Sequence, residues 1–388
     1  MNHRRLMAIL GFLLLPFPLL AQDAQSLGLG GATTAAPMEI FGLYWNPALL
    51  ALPYNTQPPT PWTIASGFSF YDTSNSGKAI LRFNPDEAMT SSQDPIHRLQ
   101  QLSGVFAVKY EKVAGGVLFN QDLDTVESQG AYSFFHDRDA GTIAPLASYD
   151  LNFQETKRQI ADLVLSYSTP FPLGTFPFFS IGGSLKYHDG LSYEQTILTG
   201  TYTQGSGLSG GSQYVKYTST SGWGLSMDAG FFVRINETIQ FAMMFQNIQS
   251  TFTWQAQRRT YTLNPATGQE TASGSPTNQD LSQPFPYTTK LGMVAAPQDK
   301  DMVLSGEVSW SQGQTRWKAG LAKYYPANSI VVRMGTFADP VSNEQLWTFG
   351  VGYLKPNFNL DLSFVTRSLP AVQDSLAVGA ALDAAIRF

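Results

Sequence analysis

Residues 222–235 read GWGLSMDAGFFVRI. Trp223, Leu225, Met227, Ala229, Phe231, Val233 and Ile235 fall in one row at period two. Gly222, Gly224, Ser226, Asp228, Gly230 and Arg234 fall in the other, with Phe232 as its one large apolar exception. Successive side chains of a strand point to opposite faces, so this stretch is a ribbon with one apolar face and one small-or-polar face. Soluble strands usually run to about five or six residues, whereas a tilted membrane-crossing strand needs about 9–11.

The same pattern recurs along the chain. In 300–311, Met302, Leu304, Val308 and Trp310 oppose Val303, Ser305, Glu307 and Ser309. In 358–365, Phe358, Leu360, Leu362 and Phe364 oppose Asn359, Asp361 and Ser363. About 14 segments alternate in this way, near 62–71, 103–111, 112–120, 157–169, 177–188, 222–235, 236–248, 286–297, 300–311, 314–325, 327–338, 345–355, 356–367 and 374–388. The first, third, fifth and seventh connections (72–102, 121–156, 189–221, 249–285) are long and polar, and the even ones are short turns. Long loops at one end and short turns at the other are the signature of an outer-membrane barrel. The fold expected is therefore all-β: an antiparallel transmembrane β-barrel of about 14 strands, spanning 62–388, with long extracellular loops.

The first 21 residues carry Arg4 and Arg5 before an apolar run broken by Pro16 and Pro18, with Ala21 at its end. They read as a secretory signal peptide. The chain has no cysteine, so packing and hydrogen bonds alone must hold it in an oxidising compartment. A net charge of −5 offers no basic patch, and no nucleic acid partner is expected. The last strand, 374–388, ends in Phe388; a terminal aromatic on an amphipathic strand resembles the signal read by the bacterial barrel-assembly machinery. Lipids of the outer membrane are the other expected partners, and the barrel is expected to be a monomer.

Chemistry-bearing motifs are weak. The glycine-rich Leu27–Gly31 stretch fits neither dinucleotide nor Walker spacing. His97, His136 and His188 have no metal-ligand spacing, and Asp122, Asp124 and Glu127 lack the glycine and oxygens of a calcium loop. No triad or carboxylate pair is evident, so no catalytic residue, metal or cofactor is expected, and the sequence argues against an enzyme. The inward rows carry Asp162, Lys186, Asp228, Lys290, Glu307, Lys318, Arg333 and Asp361, read as solvated or internally paired lumenal charges. The short Gln312-Gly313 turn would set Glu307 opposite Lys318.

Residues 22–61 precede the first strand and show no strand pattern. Barrels of eight strands fill with their own side chains, but about 14 strands enclose more space than that. This segment is expected to be a lumenal plug. Within it GLYWNPALLAL (Gly42–Leu52) places the turn Asn46-Pro47 between apolar anchors. The stretch SLGLGGATTAAPMEIFGLYWNPALLAL (Ser26–Leu52), with Gly30, Gly31, Trp45, Asn46, Pro47 and Ala48, resembles the N-terminal hatch of the OMPP1/FadL/TodX family, and its Tyr44-Trp45 resembles the related PorV and PorQ branch. The resemblance implies a 14-stranded barrel that takes up a hydrophobic small-molecule ligand such as a long-chain fatty acid, released through a gap in the wall. A PorV-like component of a protein secretion system, or a structural barrel or adhesin, are the alternatives.

Overall fold

A computed structural model describes residues 23–36, 39–52, 61–72, 96–174, 176–296, 301–325, 329–338, 345–367 and 377–388. The leader read at 1–21, the proline-rich exit at 53–60 and the connections at 339–344 and 368–373 lie outside the described residues. The strands are β1 (Trp62–Asp72), β2 (Ile96–Tyr110), β3 (Val113–Glu127), β4 (Ser148–Pro170), β5 (Phe178–Thr203), β6 (Gly207–Leu208), β7 (Gln213–Ser219), β8 (Gly222–Arg234) and β9 (Ile239–Leu263). They continue as β10 (Glu270–Ser282), β11 (Thr288–Ala295), β12 (Met302–Ser311), β13 (Gln314–Tyr325), β14 (Ile330–Ala338), β15 (Gln345–Lys355), β16 (Phe358–Thr366) and β17 (Ala377–Arg387).

Fourteen of these, β1–β5, β8, β9 and β11–β17, form an antiparallel wall in which each strand pairs with two neighbours, and β1 closes it by pairing with both β2 and β17. Closure matters physically because hydrocarbon cannot hydrogen-bond a free sheet edge. The alternation follows the expected faces. In β8, Trp223, Leu225, Met227 and Phe231 are exposed, while Gly222, Gly224, Ser226, Asp228, Gly230 and Phe232 are buried inside. Around the wall Leu163, Leu185, Leu291, Leu304, Val351 and Leu362 continue this exposed apolar belt. At the end of the short turns it is edged by Trp62, Tyr110, Tyr325 and Tyr353, the aromatic girdle of a membrane-embedded barrel.

The long polar connections differ from expectation. β3 runs on to Glu127, β4 begins at Ser148, and β5 and β9 reach Thr203 and Leu263, with β7 and β10 added beside them. β5 alone has 26 residues, more than twice the crossing length of about 9–11. Beyond the membrane both faces of these strands meet water or a polar neighbour. Stretches such as Thr196–Thr203 therefore lose the apolar alternation that marks the embedded part. The extension has its own small core, in which Phe134 from the helix Gln129–Ala140 packs on Tyr149, Leu198 and Tyr202. Tyr149 donates to Asp137 Oδ2 at 2.7 Å, and burial together with that bond pushes its hydroxyl up to about 12.

The gap in the wall that the family resemblance implied is not seen among the described residues. All fourteen neighbouring pairs are hydrogen-bonded; the register shifts once in β4–β5 and once in β16–β17, and twice between Leu225 and Ala229 in β8–β9. The lipid-facing assignment gives a direct test. Phe349→Arg should block assembly, because a cation on the lipid face near mid-bilayer costs about 2–4 kcal/mol. Loss of the heat-modifiable folded band on a gel is the expected result. Thr348, one residue along, faces the lumen as expected, but its Oγ1 donates to Gly28 O at 3.3 Å and it is fully buried. A lumenal position is thus not a roomy one, and Arg is not tolerated there merely because it avoids lipid.

Candidate functional site

The lumen is occupied by residues 23–36 and 39–52, whose conformation follows from local capping chemistry. Asp23 caps the short helix Ala24–Gly28, its Oδ1 accepting from Ser26 N at 2.7 Å, and its Oδ2 accepts from Trp45 Nε1 at 2.5 Å. Gly30 and Gly31 then turn the chain at φ 63° and 73°, a region that disfavours side chains with a Cβ. After the short helix Gly42–Trp45, Asn46 is extended and Pro47 opens a 3-10 turn, Pro47–Ala51, where a missing N–H costs nothing. Asn46 is fully buried and satisfied on both sides. Its Nδ2 donates to Thr34 O (2.9 Å) and Phe231 O (3.3 Å), and its Oδ1 accepts from Ala48 N (3.1 Å).

Asn46 therefore joins two limbs of the segment to the wall strand β8. Replacing it with alanine strands these buried groups at about 1–3 kcal/mol, so Asn46→Ala should loosen the segment without unfolding the barrel. Hydrogen exchange of the amides in 42–52 should accelerate while the wall strands stay protected; unchanged exchange there would contradict the role.

Wall charges clamp the segment further. Glu307 Oε2 accepts from Thr33 N, Thr34 N and Thr34 Oγ1 at 3.1, 3.0 and 2.7 Å. Its other oxygen meets Lys318 Nζ at 3.1 Å, and Lys318 also donates to Gly31 O at 3.3 Å. Glu307 and Lys318 are directly opposite in the β12–β13 register, as the turn length implied. Asp383 Oδ2 accepts from Ala24 N at 2.7 Å, and Ser168 and Ser180 both donate to Ala48 O, at 3.1 and 2.8 Å. The remaining expected lumenal charges are inside too. Lys186 pairs with Asp228 at 2.6 Å, Arg333 pairs with Asp361, and Lys290 Nζ lies 5.4 Å from the Trp45 ring centroid.

The small residues of the inward rows have a reason the sequence did not show. A Cβ on Gly320 would lie 2.5 Å from Leu29 O, and one on Gly182 would lie 2.5 Å from Ala48 N. Cβ atoms on Gly230 and Gly335 would collide with Asn46 Oδ1 and Gly30 N. These glycines let backbone pack on backbone, so wall and segment fit as one unit.

Outward of the segment, the lumen beside β4, β5, β8 and β9 is filled by Ile160, Tyr193, Phe252 and Trp254, with Phe285 and Tyr217 against them. Between the two layers His188 contacts Asp162 at 2.6 Å and Ser226 at 2.8 Å, a grouping missed in sequence because its members lie 26 and 38 residues apart. The acidic run read as a poor calcium loop is tied up on the strands: Asp122 pairs with Arg158 and Asp124 with His97, each at 2.7 Å. Phe388 is exposed at the seam, its N–H donating to Trp62 O at 3.2 Å.

No protein-family pattern matches the chain, and no curated protein matches its sequence. Solved structures do match. The Ralstonia pickettii toluene transporter TbuX aligns with TM-score 0.58 at 13% identity, over 95% of this chain and 99% of that one. The Pseudomonas putida toluene transporter TodX aligns with TM-score 0.56 at 14% identity, over 95% and 98%. A Pseudomonas aeruginosa FadL homologue aligns with TM-score 0.56 at 13% identity, over 96% and 99%. At such identities the likeness is one of fold. Together with the closed wall and apolar belt, it makes this chain a bacterial outer-membrane β-barrel of FadL-like fold.

Proposed function

We propose that the barrel is an outer-membrane channel for uptake of hydrophobic small molecules, long-chain fatty acids among them, and that it holds back ions and polar solutes. One observation carries this reading: the layering of the lumen. Among the described residues the plug packs on the inner wall with its charges paired, and the layer outward of it is aromatic and apolar. An apolar molecule can trade places with aromatic packing at little cost, whereas a hydrated ion loses its water there. The toluene transporters of similar fold support the same ligand class.

The test is uptake of radiolabelled oleate and toluene by bacterial cells with an intact outer membrane, with and without this chain. Faster entry of either compound, with sugars unaffected, is the expected result. Equal rates contradict the reading. Mass spectrometry of the purified protein separates the PorV-like alternative, which predicts secretion subunits rather than an apolar molecule as the co-purifying species.

A further inference from the structure

We propose that Asp162, His188 and Ser226 form a nucleophilic triad in the lumen that cleaves esters of apolar acyl chains. Three neighbouring strands, β4, β5 and β8, bring them together: the register sets Asp162 opposite His188, and Lys186 opposite Ser226. His188 Nδ1 lies 2.6 Å from Asp162 Oδ1, and Nε2 lies 2.8 Å from Ser226 Oγ. An ionised carboxylate only accepts, so Nδ1 carries the proton. Nε2 is then left as the acceptor for the serine hydroxyl. That is the order of contacts by which a base activates a serine and is itself oriented by a third group. Asn247 Oδ1, at 3.4 Å, is the longer contact of the same hydroxyl.

Two further observations set this cluster apart from the structural serines that clamp the plug. The first is backbone irregularity at the nucleophile. The β8–β9 register breaks on both sides of Met227, next to Ser226, and the facing residues Asn247 and Gln249 have φ 58° and 51°. Bulges and left-handed non-glycine residues concentrate at functional sites. The second is an apolar wall on the imidazole. Phe285 lies 4.3 Å from the His188 ring centroid to centroid and Phe252 lies 6.3 Å away. Phe285 belongs to the irregular segment between β10 and β11, so it is the cover that an entering acyl chain displaces.

The chemistry balances with water alone. Ser226 Oγ adds to the ester carbonyl as its proton moves to His188 Nε2. The former carbonyl oxygen takes the negative charge of the tetrahedral intermediate. Its collapse breaks the acyl–oxygen bond, and the departing alkoxide takes the proton from Nε2. Water then adds to the acyl-serine, giving its proton to His188, and the second collapse frees the carboxylic acid and returns the proton to Ser226. The inference borrows from the proposed channel only the route by which an apolar ester reaches the lumen.

The experiment is covalent labelling of the purified full-length barrel in detergent with an alkyl fluorophosphonate, followed by peptide mapping, beside hydrolysis of p-nitrophenyl esters of increasing chain length. Label is expected on Ser226, absent in Ser226→Ala. His188→Gln and the near-isosteric Asp162→Asn, each shown to be folded by heat-modifiable migration, should slow labelling by about 10²–10⁴-fold. Long-chain esters should turn over faster than acetate. An unlabelled native protein, label on another serine, or equal labelling in folded His188→Gln overturns the triad. Oleate uptake persisting in Ser226→Ala leaves the channel reading standing whichever way the labelling falls.

Discussion

Gly335→Val is expected to leave the barrel assembled and to push the Ala24–Gly31 limb of the plug off the wall. The new side chain would meet the Gly30 backbone, and backbone cannot swing aside as a flexible side chain can. Gly320 and Gly350 on the flanking strands press on Leu29 and Gly28 in the same way, so the limb has no lateral room to retreat. Overpacking of this kind costs about 1–3 kcal/mol, a factor of about 5–150 in the population of the displaced state. The native chain has no cysteine, so a single Leu29→Cys reports the change cleanly. Its thiol should be protected in the native background and react by that factor faster with Gly335→Val. Gly306→Val is the control: a Cβ there meets nothing within 4 Å, and it should be silent. Equal reactivity in both variants would sink the close-packing account.

Glu307 should be the most sensitive single side chain of the plug seat. Glu307→Ala removes an acceptor for three donors and leaves Lys318 without its carboxylate. Removing one partner of a buried pair costs about 3–5 kcal/mol. Cross-strand pairs on exposed sheets contribute only about 0.2–1 kcal/mol, so the size of the effect itself reports burial. Lys318→Met alone should cost less, and adding it to Glu307→Ala should recover part of the loss, since the orphaned charge is gone. A double-mutant cycle on thermal unfolding reads this directly, and additive costs would contradict the pairing.

What the sequence made legible follows from where physical contrast is strong. Lipid and lumen differ so much that Trp223, Leu225 and Met227 had to alternate with Gly224 and Ser226, and the embedded strands could be read. Outside the bilayer that contrast vanishes, and Thr196–Thr203 or Glu270–Ser282 carry no period to read although they are strands. The Glu307–Lys318 pair was legible because a two-residue hairpin fixes register. The grip of Glu307 on Thr33 and Thr34 was not, since it joins positions 273 and 274 residues apart. Gly230 was read as merely a small residue of the inward row, and the close approach that it shares with Gly182 and Gly335 was hidden because their partner was a segment with no pattern of its own. His188 had no partner by sequence spacing until β4 and β8 supplied Asp162 and Ser226 on either side.

The central claim is that the segment described by residues 23–36 and 39–52 stoppers the lumen, and single-channel recording in planar bilayers tests it most directly. The native barrel should be electrically silent. A variant lacking residues 22–56 should still migrate as a folded barrel and should conduct ions steadily, because wall glycines and lumenal charges would then face water. A deletion variant that folds and stays silent would contradict the claim, as would a native barrel that already conducts at the level of an open pore.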